Sequence, residues 1–206
     1  MATSVEQNPL GNAKLLQYLN EMLSIENAAI ERLQTRVQET TLPESKQQLQ
    51  HHLEETIGQQ ERIRSAIINR GGSPTIAKAE LPIMNPKTET TARVDEMVES
   101  STTKDNDEKE TIKSFVSETK NVAMKTEKEL IGANQDAVIE NAEIISYNML
   151  IDIAKKVNAE EIILVLEENL RQEEAMAAWI TANAPKMLDN LWRYIESSAG
   201  PRTVNS

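Results

Sequence analysis

One glutamate constrains this chain more than any other feature. Glu26 lies inside Leu15–Val37, LLQYLNEMLSIENAAIERLQTRV. Laid on a helical wheel, Leu15, Leu19, Met22, Ala29, Ile30, Leu33 and Val37 share one side, and Glu26 falls within roughly 20° of the middle of that side. A carboxylate there faces a core and not water. Burial costs a carboxylate several kcal/mol, as an order of magnitude, unless it is paired or bound to a metal. Either something positive waits for Glu26, or this helix is not packed the way its pattern says; matching carboxylates on other helices would favour the first.

Composition narrows the answer. The 206 residues suffice for one sizeable core. A net charge of −11 argues against nucleic acid and anionic membrane as partners, since both need basic patches. The absence of cysteine excludes disulfides, zinc–thiolate sites and cysteine nucleophiles. Few aromatics and abundant Glu, Gln, Ala, Leu, Ile and Lys are the composition of an all-helical protein. No apolar run approaches the ~20 residues of a membrane span. The leading MATSVEQNPLGNAK lacks the order of a signal peptide, so a cytoplasmic protein is expected.

Along the chain, residues 1–11 read as a flexible lead. Asn12 is placed to cap a first helix running to about Glu39. Thr40-Thr41-Leu42-Pro43 breaks it, and Pro43 suits the first turn of a second helix over about 44–69. The short break predicts an antiparallel hairpin. Gly71-Gly72-Ser73-Pro74 ends helix two. Residues 73–90, with Pro74, Pro82 and Pro86, read as an irregular crossover. A short helix is expected over 91–100, a polar loop over 101–107 and a weakly amphipathic helix over 108–131. Gly132-Ala133-Asn134 reads as a break. A third strong helix follows over 136–157, Asn158 ends it, and a fourth covers 159–183. Pro185 is placed to start a last helix over 186–197, and the tail from 199 reads as flexible. Two helical hairpins joined by a long crossover (an insertion of about 71–131) describe one domain, 12–198, a four-helix bundle of ferritin-like connectivity. Apolar faces left over on 108–131 and around Trp192 point to a homo-oligomer or other protein partners.

The other helices supply carboxylates unequally. Glu143 lies about 40° from the middle of the apolar side of its helix, and Glu140 about 100° away. Glu173 lies about 30° from the middle of its side, and Glu174 about 70°. On helix two, Glu55 sits about 130° off the apolar line, while His52 and Gln59 flank it more closely. One inward glutamate per helix is the plan of di-iron and di-manganese carboxylate proteins. Hard oxygen ligands favour manganese or iron over copper. Tyr18 and Tyr147 are placed to pack in the core or to hydrogen-bond the ligands.

The pieces H-L-E-E-T-x-G-Q at 52–59 and E-x-x-E-I-x-x-Y from Glu140 to Tyr147 resemble the DUF892 family, the YciE/YciF-like branch of the ferritin-like superfamily. The likeness extends over about 12–70 and 130–184. It implies a ferritin-like bundle linked to stress responses, with a dinuclear iron or manganese site. The residues it points to are Glu26, Glu55, Glu143 and Glu173, with His52 and Glu140 as further ligands. The Glu-x-x-His pairs of that plan are absent here: Gly58 stands three after Glu55, and Met176 three after Glu173. Asn141 stands where the family often has histidine. Two functions follow. The bundle acts on oxygen or peroxide, or sequesters metal, through that site; or it is a metal-free relative serving as a structural or protein-interaction subunit.

Overall fold

The computed structural model describes residues 9–81 and 106–198, and every regular element among them is helical. Helix α1 spans Pro9–Glu39, α2 Pro43–Asn69, α3 Asn106–Lys156 and α4 Glu160–Ser198. The bundle is thus all-α, as the sequence predicts.

The helix ends follow local chemistry. Pro43 occupies the first turn of α2, where a missing N–H costs nothing, and Leu42 before it is extended. At the far end Gly71 adopts a positive φ of 78°. Gly71 N–H then donates to Ile68 O, and Gly72 N–H to Ile67 O, each at 2.9 Å, which satisfies the last carbonyls. The α3–α4 turn repeats this stop with asparagine. Asn158 has φ 54°, its N–H donates to Lys155 O, and Ala159 N–H donates to Ala154 O at 2.9 Å.

Four expected boundaries differ in the structure. α1 starts at Pro9, so Asn12 is no cap; its Oδ1 accepts from Arg70 Nε at 2.9 Å, joining the start of α1 to the end of α2. Gly132-Ala133-Asn134 does not break α3. A glycine costs a helix interior only about 1 kcal/mol, and the following turn is locked through Asp136 by Arg32 and Arg36, at 2.7 and 2.9 Å. Pro185 lies within α4 and does not begin a new helix. Proline forfeits one backbone hydrogen bond, and nothing local in the sequence distinguishes that position from a helix start. Asn106 and Asp107, expected in a loop, belong to α3. The helix expected over 91–100 lies outside the described residues.

The chain divides into two compact units: residues 1–82 with 135–182, and residues 83–134 with 183–206. In the second, Thr126, Glu129, Ala133 and Met187 are buried. The first holds α1, α2, the last part of α3 and the first part of α4. Its cross-helix contacts give the directions. Glu26 meets Tyr147 while Arg32 meets Asp136, so α1 and α3 are antiparallel. Gln48 meets Met176 while Arg62 meets Asn169, so α2 and α4 are antiparallel. With short turns within each hairpin, α2 and α3 then run the same way in this unit. The start of the connection between them, residues 73–81, is irregular and lies along α1. Ala79 N–H donates to Ser24 O at 2.8 Å, Thr75 N–H to Asn20 Oδ1 at 2.7 Å, and Asn27 Nδ2 to Ala77 O at 2.8 Å.

One stretch of this unit is a dry core of Leu15, Leu19, Leu23, Ile63, Ile67, Leu150, Ala154 and Leu166. Further along the same helices the interior turns polar.

Candidate metal centre

Four helices bring ionisable groups into that polar interior. On α1, Glu26 follows Leu19 and Met22 on the buried face and has 0% exposure. On α2, His52, Thr56 and Gln59 continue the face of Ile63 and are buried. On α3, Glu140, Glu143 and Tyr147, at i, i+3 and i+7, share one face and are buried. On α4, Asn169 and Glu173, at i and i+4, do the same.

His52 is the hub. Its Nε2 stands 3.1 Å from Glu140 Oε2 and 3.6 Å from Glu173 Oε2. Its Nδ1 stands 3.4 Å from Glu55 Oε2. Thr56 Oγ1 donates to His52 O at 2.8 Å within the same turn. One donor atom from each of His52, Glu140 and Glu173 lies within 4.8 Å of the others, close enough to share one cation. Glu26 accepts from the Tyr147 hydroxyl at Oε1, and that hydroxyl accepts from Asn169 Nδ2 at 3.0 Å. Glu173 accepts at Oε1 from Gln59 Nε2.

The electrostatics are those of crowded buried acids. Burial pushes the Glu26 carboxyl up to about 8, although the Tyr147 phenol and His52 both favour its charged form. Burial, then the charges of neighbouring glutamates, holds Glu143 and Glu173 well above the usual carboxylate range. Burial alone would lower His52, but the hydrogen bonds of Glu140 and Glu55 and the charges of Glu140 and Glu173 outweigh it and raise the imidazole to about 11. Glu55 is lowered, chiefly by its bond to His52. The Tyr147 phenol is pushed well above its usual value by burial and by Glu26, and so keeps its proton.

The donor set fits a hard cation. Glu26 Oε2, Glu140 Oε2, Glu143 Oε1, Glu173 Oε2 and Gln59 Oε1 are buried and accept no well-formed hydrogen bond among the described residues, although Glu140 Oε2 and Glu173 Oε2 face the charge of His52 Nε2. An orphaned acceptor normally costs about 1–3 kcal/mol, more when charged, so such a group in one place calls for a cation or a proton.

Each residue expected from the sequence can now be placed. Glu26, Glu143 and Glu173 are buried as the wheel predicts, and Glu140 joins them although the wheel sets it about 100° off. Glu174 faces solvent. On α2 the inward group is His52. Glu55 keeps 20% side-chain exposure and sits on the outer ring nitrogen of His52, outside the three-donor cluster. Tyr147 bonds a carboxylate. Asn169, Gln172 and Arg62 form the hydrogen-bonded surround and carry no signal in a hydropathy pattern, being polar residues on the flank of a buried face.

Comparison with known proteins agrees with the fold. The chain is similar to a crystal structure of a Xanthomonas campestris pv. campestris protein (TM-score 0.64, 18% identity), over 91% of this chain and 99% of that one. It is similar to YcfI of Rhodopseudomonas palustris (TM-score 0.59, 20% identity), over 87% and 98% of the two chains. It is also similar to the E. coli stress protein YciF (TM-score 0.56, 20% identity), over 87% and 97%. No curated protein matches. The profile of DUF892, a domain of unknown function, matches residues 12–85 and 85–191. The chain therefore belongs to the DUF892 family.

Proposed function

We propose that this protein binds iron or manganese in the buried cluster of its first unit, as a dinuclear centre, and works in a stress response by acting on oxygen or peroxide or by sequestering the metal. The observation that carries this reading is the set of buried oxygens on Glu26, Glu143 and Glu173 that accept no hydrogen bond among the described residues, beside the His52–Glu140–Glu173 group. His52, Glu140 and Glu173 would hold one ion, and Glu26 and Glu143 would complete the site for a second. Such a metal pair, when bound, supplies Lewis acidity and electrons to a small oxygen species. The chain's own residues do the rest. Glu55 holds the outer nitrogen of His52, which fixes the ring so that Nε2 faces the cluster. Tyr147 and Gln59 each tie down one carboxylate oxygen. Leu19, Met22 and Ile63 along the same faces keep water out. The shared fold with a protein described as a stress protein supports the stress assignment.

A second reading, a metal-free structural or interaction subunit, is favoured by one observation. His52, held as an imidazolium, already sets a positive charge between Glu140 and Glu173. Metal content after growth in iron- and manganese-supplemented medium separates the two. About two equivalents per chain, lost in Glu26→Ala, supports the first reading. No metal in either protein supports the second. For partners, we propose self-association through apolar surface such as Leu188 and Trp192, which are 50% and 56% exposed, and neither nucleic acid nor membrane. None of the described helices is long and apolar enough to cross a membrane.

A further inference from the structure

The ligand set leaves two nearby residues without a role: Arg62, and Gly58 of the H-L-E-E-T-x-G-Q motif. Arg62 is partly buried on α2 and donates to two neutral amides instead of a carboxylate. Its Nε donates to Asn169 Oδ1 and its Nη2 to Gln172 Oε1, both at 2.6 Å. A guanidinium has donors only. Both amides must therefore turn their oxygens to Arg62.

Each constraint propagates inward. Asn169, with its oxygen committed, presents Nδ2 to the Tyr147 hydroxyl at 3.0 Å. That hydroxyl accepts there, so its one proton goes to Glu26 Oε1. Gln172, with its oxygen turned the same way, also accepts from Gln59 Nε2 at 3.1 Å. The Gln59 amide is thereby oriented, and its nitrogen also donates to Glu173 Oε1. Two arms thus run from one guanidinium and end on one oxygen each of Glu26 and Glu173. The other oxygen of each, Oε2, is buried and accepts no hydrogen bond among the described residues, Glu173 Oε2 standing 3.6 Å from His52 Nε2.

We infer that Arg62 is a positioning residue for the cation site: it sets the polarity of both arms, so that Glu26 and Glu173 each keep one oxygen in a protein hydrogen bond and turn the other to the metal. This rests on the metal-binding reading above. Gly58 fits the same arrangement, because a Cβ there would stand 3.2 Å from Arg62 Nη1. The glycine leaves the guanidinium room to lie along α2.

Tyrosine labelled with carbon-13 at Cζ reports phenol hydrogen bonding in the full-length, metal-free protein. The chain has three tyrosines, and Tyr147→Phe identifies the signal needed. Arg62→Met releases both amides and is expected to move the Tyr147 signal while leaving the other two in place. Mn(II) affinity should fall about tenfold or more, the usual scale for losing support behind a ligand, and Arg62→Lys should restore part of it. Asn169→Asp is a shape-conserving second variant: it still accepts from Arg62 but cannot donate to Tyr147, so it should move the same signal. An unmoved Tyr147 signal in folded Arg62→Met and Asn169→Asp, with unchanged Mn(II) affinity, would overturn the role given to Arg62. A wild-type chain that takes up no Mn(II), while its Tyr147 signal still responds to Arg62→Met, would overturn the metal reading and leave the polarity of the arms standing.

Discussion

The first unit contains two interiors built on the same helices, and they are stabilised in opposite ways. Toward one end Leu15, Leu19, Ile63, Ile67, Leu150 and Leu166 meet with nothing polar between them. A turn or two along the same faces stand Glu26, His52, Glu140, Glu143 and Glu173, equally buried. In the first interior each large side chain taken from water contributes about 1.5–3 kcal/mol. In the second, each buried charge costs several kcal/mol before its partners offset it. The apolar end thus carries the stability that lets the polar stretch exist. What the polar stretch gains is a set of buried oxygens with unused lone pairs, which do not serve the fold.

Mutation can widen or close that contrast. The largest effect belongs to the apolar end. Leu19→Ala should lose about 2–5 kcal/mol in denaturant unfolding, with Mn(II) binding by the folded fraction intact. The polar stretch should answer in the other direction. The unfolded Glu26 carboxyl titrates near 4.5 and the folded one near 8, so the folded state holds an extra proton between those values. Its contribution to stability is fully present below 4.5 and is lost as pH rises through 8. The metal-free protein should therefore melt lower at pH 8 than at pH 5. Glu26→Gln should flatten this profile and raise stability by roughly 3 kcal/mol at pH 7, where the wild type sets the folded proton against an ionised unfolded chain. A profile unchanged by Glu26→Gln would remove the distinction between the two interiors.

Smaller effects sharpen it. Gly72→Ala places a Cβ 2.7 Å from Leu16 Cδ2 and 2.9 Å from Ile67 Cγ2 at the closely filled end, and should cost about 1–3 kcal/mol in thermal unfolding. Asn27→Ala removes the bonds of Asn27 to Ala77 O and from Gln60, and should cost about 1 kcal/mol. Its signature is faster hydrogen exchange at Ala79 N–H, the next tie of residues 73–81 to α1.

The two interiors also differ in how far the sequence reveals them. The apolar end is written in the spacing of Leu15, Leu19, Met22, Ile63 and Ile67, and the helices follow from it. Glu26, Glu143 and Glu173 are legible as acids where the pattern wants apolar groups. Glu140 and His52 lie off the centre of their faces. A wheel treats a helix as having one apolar side, whereas α3 meets α1, α2 and α4 through Tyr147 and Glu140 and buries polar groups beside its apolar ones. Glu55 illustrates the converse: a motif glutamate, it stands at the rim and acts on the site through His52. The boundaries missed at Asn12 and Gly132 lie beside contacts that the local sequence does not show. Contacts distant in sequence, such as Asp136 with Arg32 and Arg36, decide whether a weak local signal ends a helix.

The most direct test of the central claim is a titration of metal-free protein with Mn(II), or anaerobically with Fe(II), on the wild type and on His52→Gln with Glu173→Gln. The account predicts binding by the wild type that strengthens from pH 6 to pH 8, because the cation displaces protons from His52 and the carboxyls, and that is abolished in the double variant. Equal uptake by the two proteins, or none by the wild type across that range, would contradict it.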